Sequence, residues 1–175
     1  MGPPSLSHRA TNLMQHGKPL PVLETAVLSD WLDYNRHMND AAYALVFSRS
    51  VDALMDRIGL DAAMRKASGQ TLFTLQMMLH YFREAHEGET LHVACRLIEH
   101  DDKRMRVWLE MAKSKGGEAI AASEQLLLSV RQSDGAARAA PWRAETKAAL
   151  DALARAQAGM PHPPQAGAGI ALKRK

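Results

Sequence analysis

A change of hydrophobic period near residue 70 constrains this chain more than any other feature. Between Asn39 and Leu60, Tyr43, Phe47, Val51 (or Ser50), Leu54 and Ile58 recur at helical spacing, and Leu45, Val46 and Met55 broaden the stripe. A stripe so wide belongs to a helix covered by protein on most sides. Gly59 fits its C-terminal cap. The piece DAAMRKA continues helically until SGQ breaks it. From there the period is two. Residues 70–83, 89–99, 103–113 and 118–131 read as strands, separated by EAHEGE, HDDK and SKGG. Turns so short make these strands antiparallel neighbours. Leu91, Val93, Cys95 and Leu97 line one face, and Met105, Val107, Leu109 and Met111 do the same next door.

The flanks complete the order. PVLETAVLSDWL reads as a first strand ahead of the helix. From Ala136 the composition shifts to Ala and Arg, and PWRAETKAALDALARAQA is a strong helix former with Pro141 near its start. Residues 1–19 are Pro-rich and polar and read as a flexible segment. The expected division is therefore a flexible 1–19, a folded domain over 20–134, and a helix with a basic tail over 135–175. This is an α+β chain whose long helix is segregated to one face of an antiparallel sheet. Such a sheet leaves an edge bare, and a homodimer or a dimer of dimers is the natural remedy.

Composition narrows the partners. The 175 residues are 46% hydrophobic and 23% charged, which suits one soluble domain. No apolar run reaches the length of a membrane span, and the first residues lack the apolar core of a secretory signal. The single cysteine, Cys95, suits a reducing cytoplasm. The overall charge of +3 hides an asymmetry: residues 20–134 carry 13 Lys and Arg against 17 Asp and Glu. The basicity lies in the flanks, so a polyanionic nucleic acid is not the expected partner. His80, His86, His92 and His100 are spaced unlike a zinc site, and no metal or cofactor is expected. No G-x-S-x-G, Walker or G-x-G-x-x-G pattern is present.

The chemistry concentrates in DYNRHMNDAAY, residues 33–43, immediately before the long helix. Asp33, Asn35 and His37 stand at every second position, while Asn39 suits the N-cap and Asp40 the positive end of the helix dipole. Asp33 can be a turn-forming residue, or a nucleophile or general base beside a helix N-terminus whose free N–H groups would hold an oxyanion. Glu124 is the other unusual residue, a carboxylate sharing a strand face with Ile120, Ala122, Leu126, Leu128 and Val130. It can orient His37 or a water, or a bulge can turn it to solvent.

Order and motif together resemble the hot-dog fold, a curled antiparallel sheet around a central helix, and its 4-hydroxybenzoyl-CoA thioesterase-like superfamily. The stretches DWLDYNRHMNDAAYALVFSRSVDALMDRIGL, HYFREAHEGETLHVACRLIEHD and ASEQLLL look closest to bacterial thioesterases linked with carnitine and betaine metabolism. Arg36 stands where many such relatives carry glycine. The resemblance implies a cytoplasmic acyl-CoA thioesterase with Asp33, Asn35 and His37 as catalytic residues and Asn39 and Glu124 in support. It also implies a short, polar, betainyl-like acyl group, for which Trp31, Tyr34, Tyr43 and Trp108 are candidate aromatic contacts. Arg65, Lys66, Arg83, Arg104 or the terminal Lys173–Arg174–Lys175 would meet the CoA phosphates. A non-catalytic acyl-CoA-binding module, a thioesterase for aromatic or fatty acyl-CoA, and a hot-dog dehydratase are the competing functions.

Overall fold

The computed structural model describes residues 15–133 and 135–171. The start of the expected flexible segment and the terminal Lys-Arg-Lys lie outside these residues.

The long helix forms where the stripe places it, as α1 over Asp40–Arg57. Asn39 caps it, its side-chain oxygen accepting the Ala41 N–H at 2.9 Å. Tyr43, Val46, Phe47, Val51, Leu54 and Met55 are buried, so the apolar face does go to the core. Leu45 differs from the expectation: it stays 39% exposed, on the rim of the stripe. Ser50 is fully buried and returns its hydroxyl to the Val46 carbonyl at 2.8 Å, which makes it acceptable inside the stripe. The turn after α1 passes through Gly59 at φ +80°. A short α2, Ala62–Ser68, follows, capped by Asp61 and closed by Gly69.

The period-two region forms β2 (Gln70–Tyr81), β3 (Thr90–His100), β4 (Arg104–Ala112) and β5 (Ala119–Ser133), with β1 at Leu20–Ala26. All neighbours are antiparallel, in the order β1-β3-β4-β5-β2. The long β5 is the spine, with β2 along one side and β4 along the other. Leu91, Val93, Cys95 and Leu97 of β3 and Met105, Val107, Leu109 and Met111 of β4 are buried and join the α1 residues in one core. Burial pushes the Cys95 thiol up to about 12, so it is an inert core residue.

The C-terminal region adds a strand ahead of the expected helix. Ala136–Ala139 form a strand, β6, which pairs with Val130–Ser133 of β5 beyond the end of β4. The weak strand propensity of AARA is overridden because this stretch of β5 has a free edge and Gly135, at φ +76°, turns the chain back onto it. The helix, α3, then begins only at Ala144 and ends at Ala156. Its Leu150 and Leu153, with Trp142, belong to the core. The chain after α3 crosses the sheet face opposite α1. Gln157 accepts the Leu97 N–H and donates to the Cys95 carbonyl, and Arg96 donates to the carbonyls of Met160 and Pro161. Beneath it lies a cavity of about 300 Å³ lined in part by Arg96, Trp108 and Glu110. No helix among the described residues is long and apolar enough to cross a membrane.

Gly69 links these layers. It sits at φ +66°, its carbonyl accepts the Gln132 N–H at 2.8 Å, and a Cβ there would meet the Gln132 carbonyl oxygen at 2.5 Å. Gly69→Ala combines a left-handed backbone with a backbone clash. It is expected to cost about 2–4 kcal/mol of stability in urea unfolding. A loss below about 1 kcal/mol would show that the β2–β5 end yields freely.

Candidate active site

The residues from Leu32 to Met38 form a tight hairpin turn. Leu32 and Met38 bridge, the Asp33 N–H donates to the His37 carbonyl at 2.8 Å, and the Arg36 N–H donates to the Asp33 carbonyl at 3.0 Å. This closure needs a left-handed residue at its fourth position, and Arg36 supplies it at φ +64°. It is the one non-glycine with positive φ among the described residues. Arg36 thus takes a backbone conformation that glycine adopts at least cost.

Asp33 is held by the turn it makes. Its Oδ1 accepts the backbone N–H of Asn35 at 2.8 Å and of His37 at 3.1 Å. Its Oδ2 makes no hydrogen bond among the described residues. The turn-forming and the chemical readings of this residue are therefore compatible: one oxygen is fixed and the other is available. The Asn39 N–H donates to the Trp31 carbonyl at 2.8 Å, which ties the start of α1 to the segment just before Asp33. At that helix start the Ala41 N–H is taken by the side chains of Asn39 and Asp40. The Asp40 N–H has no partner among the described residues, leaving a donor at the positive end of the dipole.

The end of β2 closes over the same helix start. The Tyr81 hydroxyl donates to the Asp40 carbonyl at 3.3 Å, and its ring meets Tyr43 edge-on at 5.4 Å. The Tyr43 hydroxyl donates to the Arg83 carbonyl. Burial pushes both phenols above their usual range, so both remain protonated donors. His37 bridges to His86, the rings meet edge-on at 5.0 Å, and His37 Nδ1 lies 3.5 Å from a Glu84 oxygen. Asn35 is exposed at the turn, next to Asp33 but not bonded through its side chain.

Several expected residues lie elsewhere. Glu124 neither meets His37 nor turns to solvent. It pairs with Arg106 at 3.1 Å and accepts the Gly167 N–H at 2.7 Å, on the face covered by the C-terminal chain. The four aromatics do not converge. Trp31 is buried with the Arg49 guanidinium 5.4 Å over its ring, and Tyr43 is buried in the core. Tyr34 is 94% exposed at the turn. Trp108 lies on the far sheet face, donating to Glu110 at 2.8 Å and packing against His80. Alternation along β4 decides this, since Val107 and Leu109 already claim the inner face.

The basic residues are scattered too. Arg65 donates to the Leu60 carbonyl and lies near Asp56, while Lys66 is exposed on α2. Arg104 is clamped by Asp101, whose carboxyl the Lys103 amide and then the Arg104 guanidinium hold down at about 2. Arg104 pairs across from Leu128 and Tyr81 across from Ala121, so Arg104 and Arg83 stand at opposite ends of β5, about 23 Å apart at the usual strand rise. Arg83, tied to Glu118 at 2.6 Å, is the one of the four that borders the turn and helix start. The sequence reading missed Glu84, His86 and Tyr81 as neighbours of the motif. Glu84 and His86 are two apart in the sequence, a visible signal, but their approach to His37 is long-range.

Comparison with known proteins shows the family and the fold. The family model described as the thioesterase-like superfamily matches residues 27–150. A betainyl-CoA thioesterase of Pseudomonas aeruginosa is 44% identical over 153 residues, 87% of this chain and 95% of that one. An L-carnitine dehydrogenase/betainyl-CoA thioesterase of Rhizobium is 32% identical over 157 residues, 90% of this chain but 31% of that longer protein. Among solved structures, a putative thioesterase of Pseudomonas putida superposes with TM-score 0.75 at 35% identity, covering 90% of this chain and 99% of that one. A Staphylococcus aureus protein solved in complex with CoA superposes at 0.79 with 24% identity, over 89% of this chain and 97% of that one, a likeness of fold. Matched along most of its length in sequence and in fold, the chain belongs to the thioesterase-like superfamily, as an acyl-CoA thioester hydrolase of hot-dog fold.

Proposed function

We propose that this enzyme hydrolyses a short, polar acyl-CoA of the betainyl type to the free acid and CoA in the cytoplasm, with Asp33 as nucleophile or general base. The observation that carries the chemistry is Asp33 Oδ2, without a hydrogen-bond partner among the described residues, on a carboxylate fixed through Oδ1. The Asp40 N–H at the helix start is the donor suited to the thioester oxyanion. Asn35 and His37 frame the carbonyl from the same turn. Arg83 is the basic residue suited to a CoA phosphate. The substrate reading rests on the Pseudomonas aeruginosa relative, which matches nearly its whole length.

The working unit is a homodimer joined along β2, on its own or as half of a tetramer. β2 carries twelve residues without a charge or a proline, and Phe73, Leu75 and Met77 are exposed along it. The other edge, β1, is short and carries Pro21 and Glu24, the usual means of blunting an edge. Because Tyr81 ends β2 against the helix start, a partner strand there would complete the site with a second chain.

Betainyl-CoA is expected to be hydrolysed faster than the nearly isosteric, uncharged 3,3-dimethylbutyryl-CoA. Of the four aromatics considered, Tyr34 is the one open to a substrate, so the gain from one cation–aromatic contact is about 0.5–2 kcal/mol, or about 2- to 30-fold in kcat/KM. Tyr34→Leu should reduce that ratio. Equal rates for the two thioesters would refute recognition of the cation and leave a general acyl-CoA hydrolase.

A further inference from the structure

The β-bridge that pins His37 against His86 has a consequence for metal chemistry. Glu84 and His86 stand two apart on the segment that follows β2. The bridge fixes His37 opposite His86, and the Met38 N–H to Ala85 carbonyl bond at 2.8 Å holds the two segments together. One donor atom each from His37, Glu84 and His86 consequently lies within 4.8 Å of the others. A zinc ion at its usual distances of about 2.0–2.1 Å needs donor atoms about 3.3 Å apart, so the side chains close on it by about 1 Å or less each. All three are at least partly open to solvent, and their tips can make that movement without moving the backbone.

We propose that His37, Glu84 and His86 form a binding site for one divalent transition-metal ion, zinc being the best suited, and that the bound ion restrains the Asp33–His37 turn. Two imidazoles and one carboxylate favour zinc, nickel or cobalt and disfavour magnesium, which takes oxygen ligands. Three protein ligands leave positions open to water, as in an exchangeable site. Glu89 is the nearest competitor, with an oxygen 3.7 Å from His86 Nδ1, but Lys113 holds that carboxylate at 2.7 Å. The coupling to the turn runs through His37, whose N–H is one of the two that hold Asp33 Oδ1. That second half rests on the role proposed above for the turn; the binding half does not.

The test is calorimetric titration of the full-length, chelator-treated protein with zinc chloride, alongside turnover of an acyl-CoA. One zinc per chain is expected, with no response to magnesium. Glu84→Gln and His86→Gln should each weaken binding by at least the effect of losing an outer-shell partner, about 10- to 100-fold. Zinc should slow the parent enzyme, while His86→Gln, compared with its own metal-free rate, loses the zinc sensitivity. Absence of saturable binding, or unchanged binding in His86→Gln, overturns the site. Tight binding with undiminished turnover in an active parent overturns the restraint on the turn. Failure of the hydrolytic reading would appear separately, as a metal-free protein without turnover that still binds zinc.

Discussion

Asp33→Asn is expected to lose about 10²- to 10⁴-fold in kcat, the range over which a positioned acid or base acts, while melting like the parent. The substitution separates the two roles of this side chain. An asparagine Oδ1 can still accept the N–H groups of Asn35 and His37, so the hairpin and the start of α1 keep their geometry. What disappears is the second oxygen, replaced by an amide nitrogen that neither attacks a thioester nor takes a proton from water. Asp33→Ala should lose the turnover and also part of the stability, because both N–H groups then lose their acceptor. Parent rates in Asp33→Asn would remove this residue from the chemistry and leave it as a turn former.

The second large effect is expected at the β2 edge. Leu75 is 49% exposed in the single chain, so Leu75→Lys should be tolerated by the fold. In a two-fold dimer the same position occurs in both copies of the interface. Burying unpaired lysines there costs about 3 kcal/mol or more, which weakens association by at least about 100-fold. Sedimentation or light scattering should show a monomer with native circular dichroism. Its thioesterase activity should fall in parallel, since Tyr81 and the α1 start border the same edge. A fully active monomeric parent would end the proposal of a shared site.

The departures from expectation have a common origin. Glu124 is unusual in the sequence because its strand neighbours are apolar. Arg106, on the adjacent strand, and Gly167, far along the chain, are what neutralise it. The aromatics near the motif suggested a cage, yet Arg49 from α1 already covers Trp31, and strand alternation sends Trp108 through the sheet. β6 has no local strand signal, since alanine and arginine are weak strand formers, and it is a strand because β5 offers an open edge.

What the sequence by itself determined is what depends on neighbours a few residues apart. The stripe from Tyr43 to Leu54, the cap at Asn39 and the alternation along β3 and β4 are set by torsions and by spacing of 3.6 or 2. The position of Asp33 before the helix start belongs with these, since one short hairpin connects the two. Only the tertiary structure decided what depends on contacts across the chain: that Arg83 borders the turn while Arg104 stands at the far end of β5, and that Glu84 and His86 meet His37. Those outcomes follow from strand register and from which sheet face each side chain takes. A one-residue shift in register would reverse that choice of face, and the pairing that fixes it is made by residues distant in sequence.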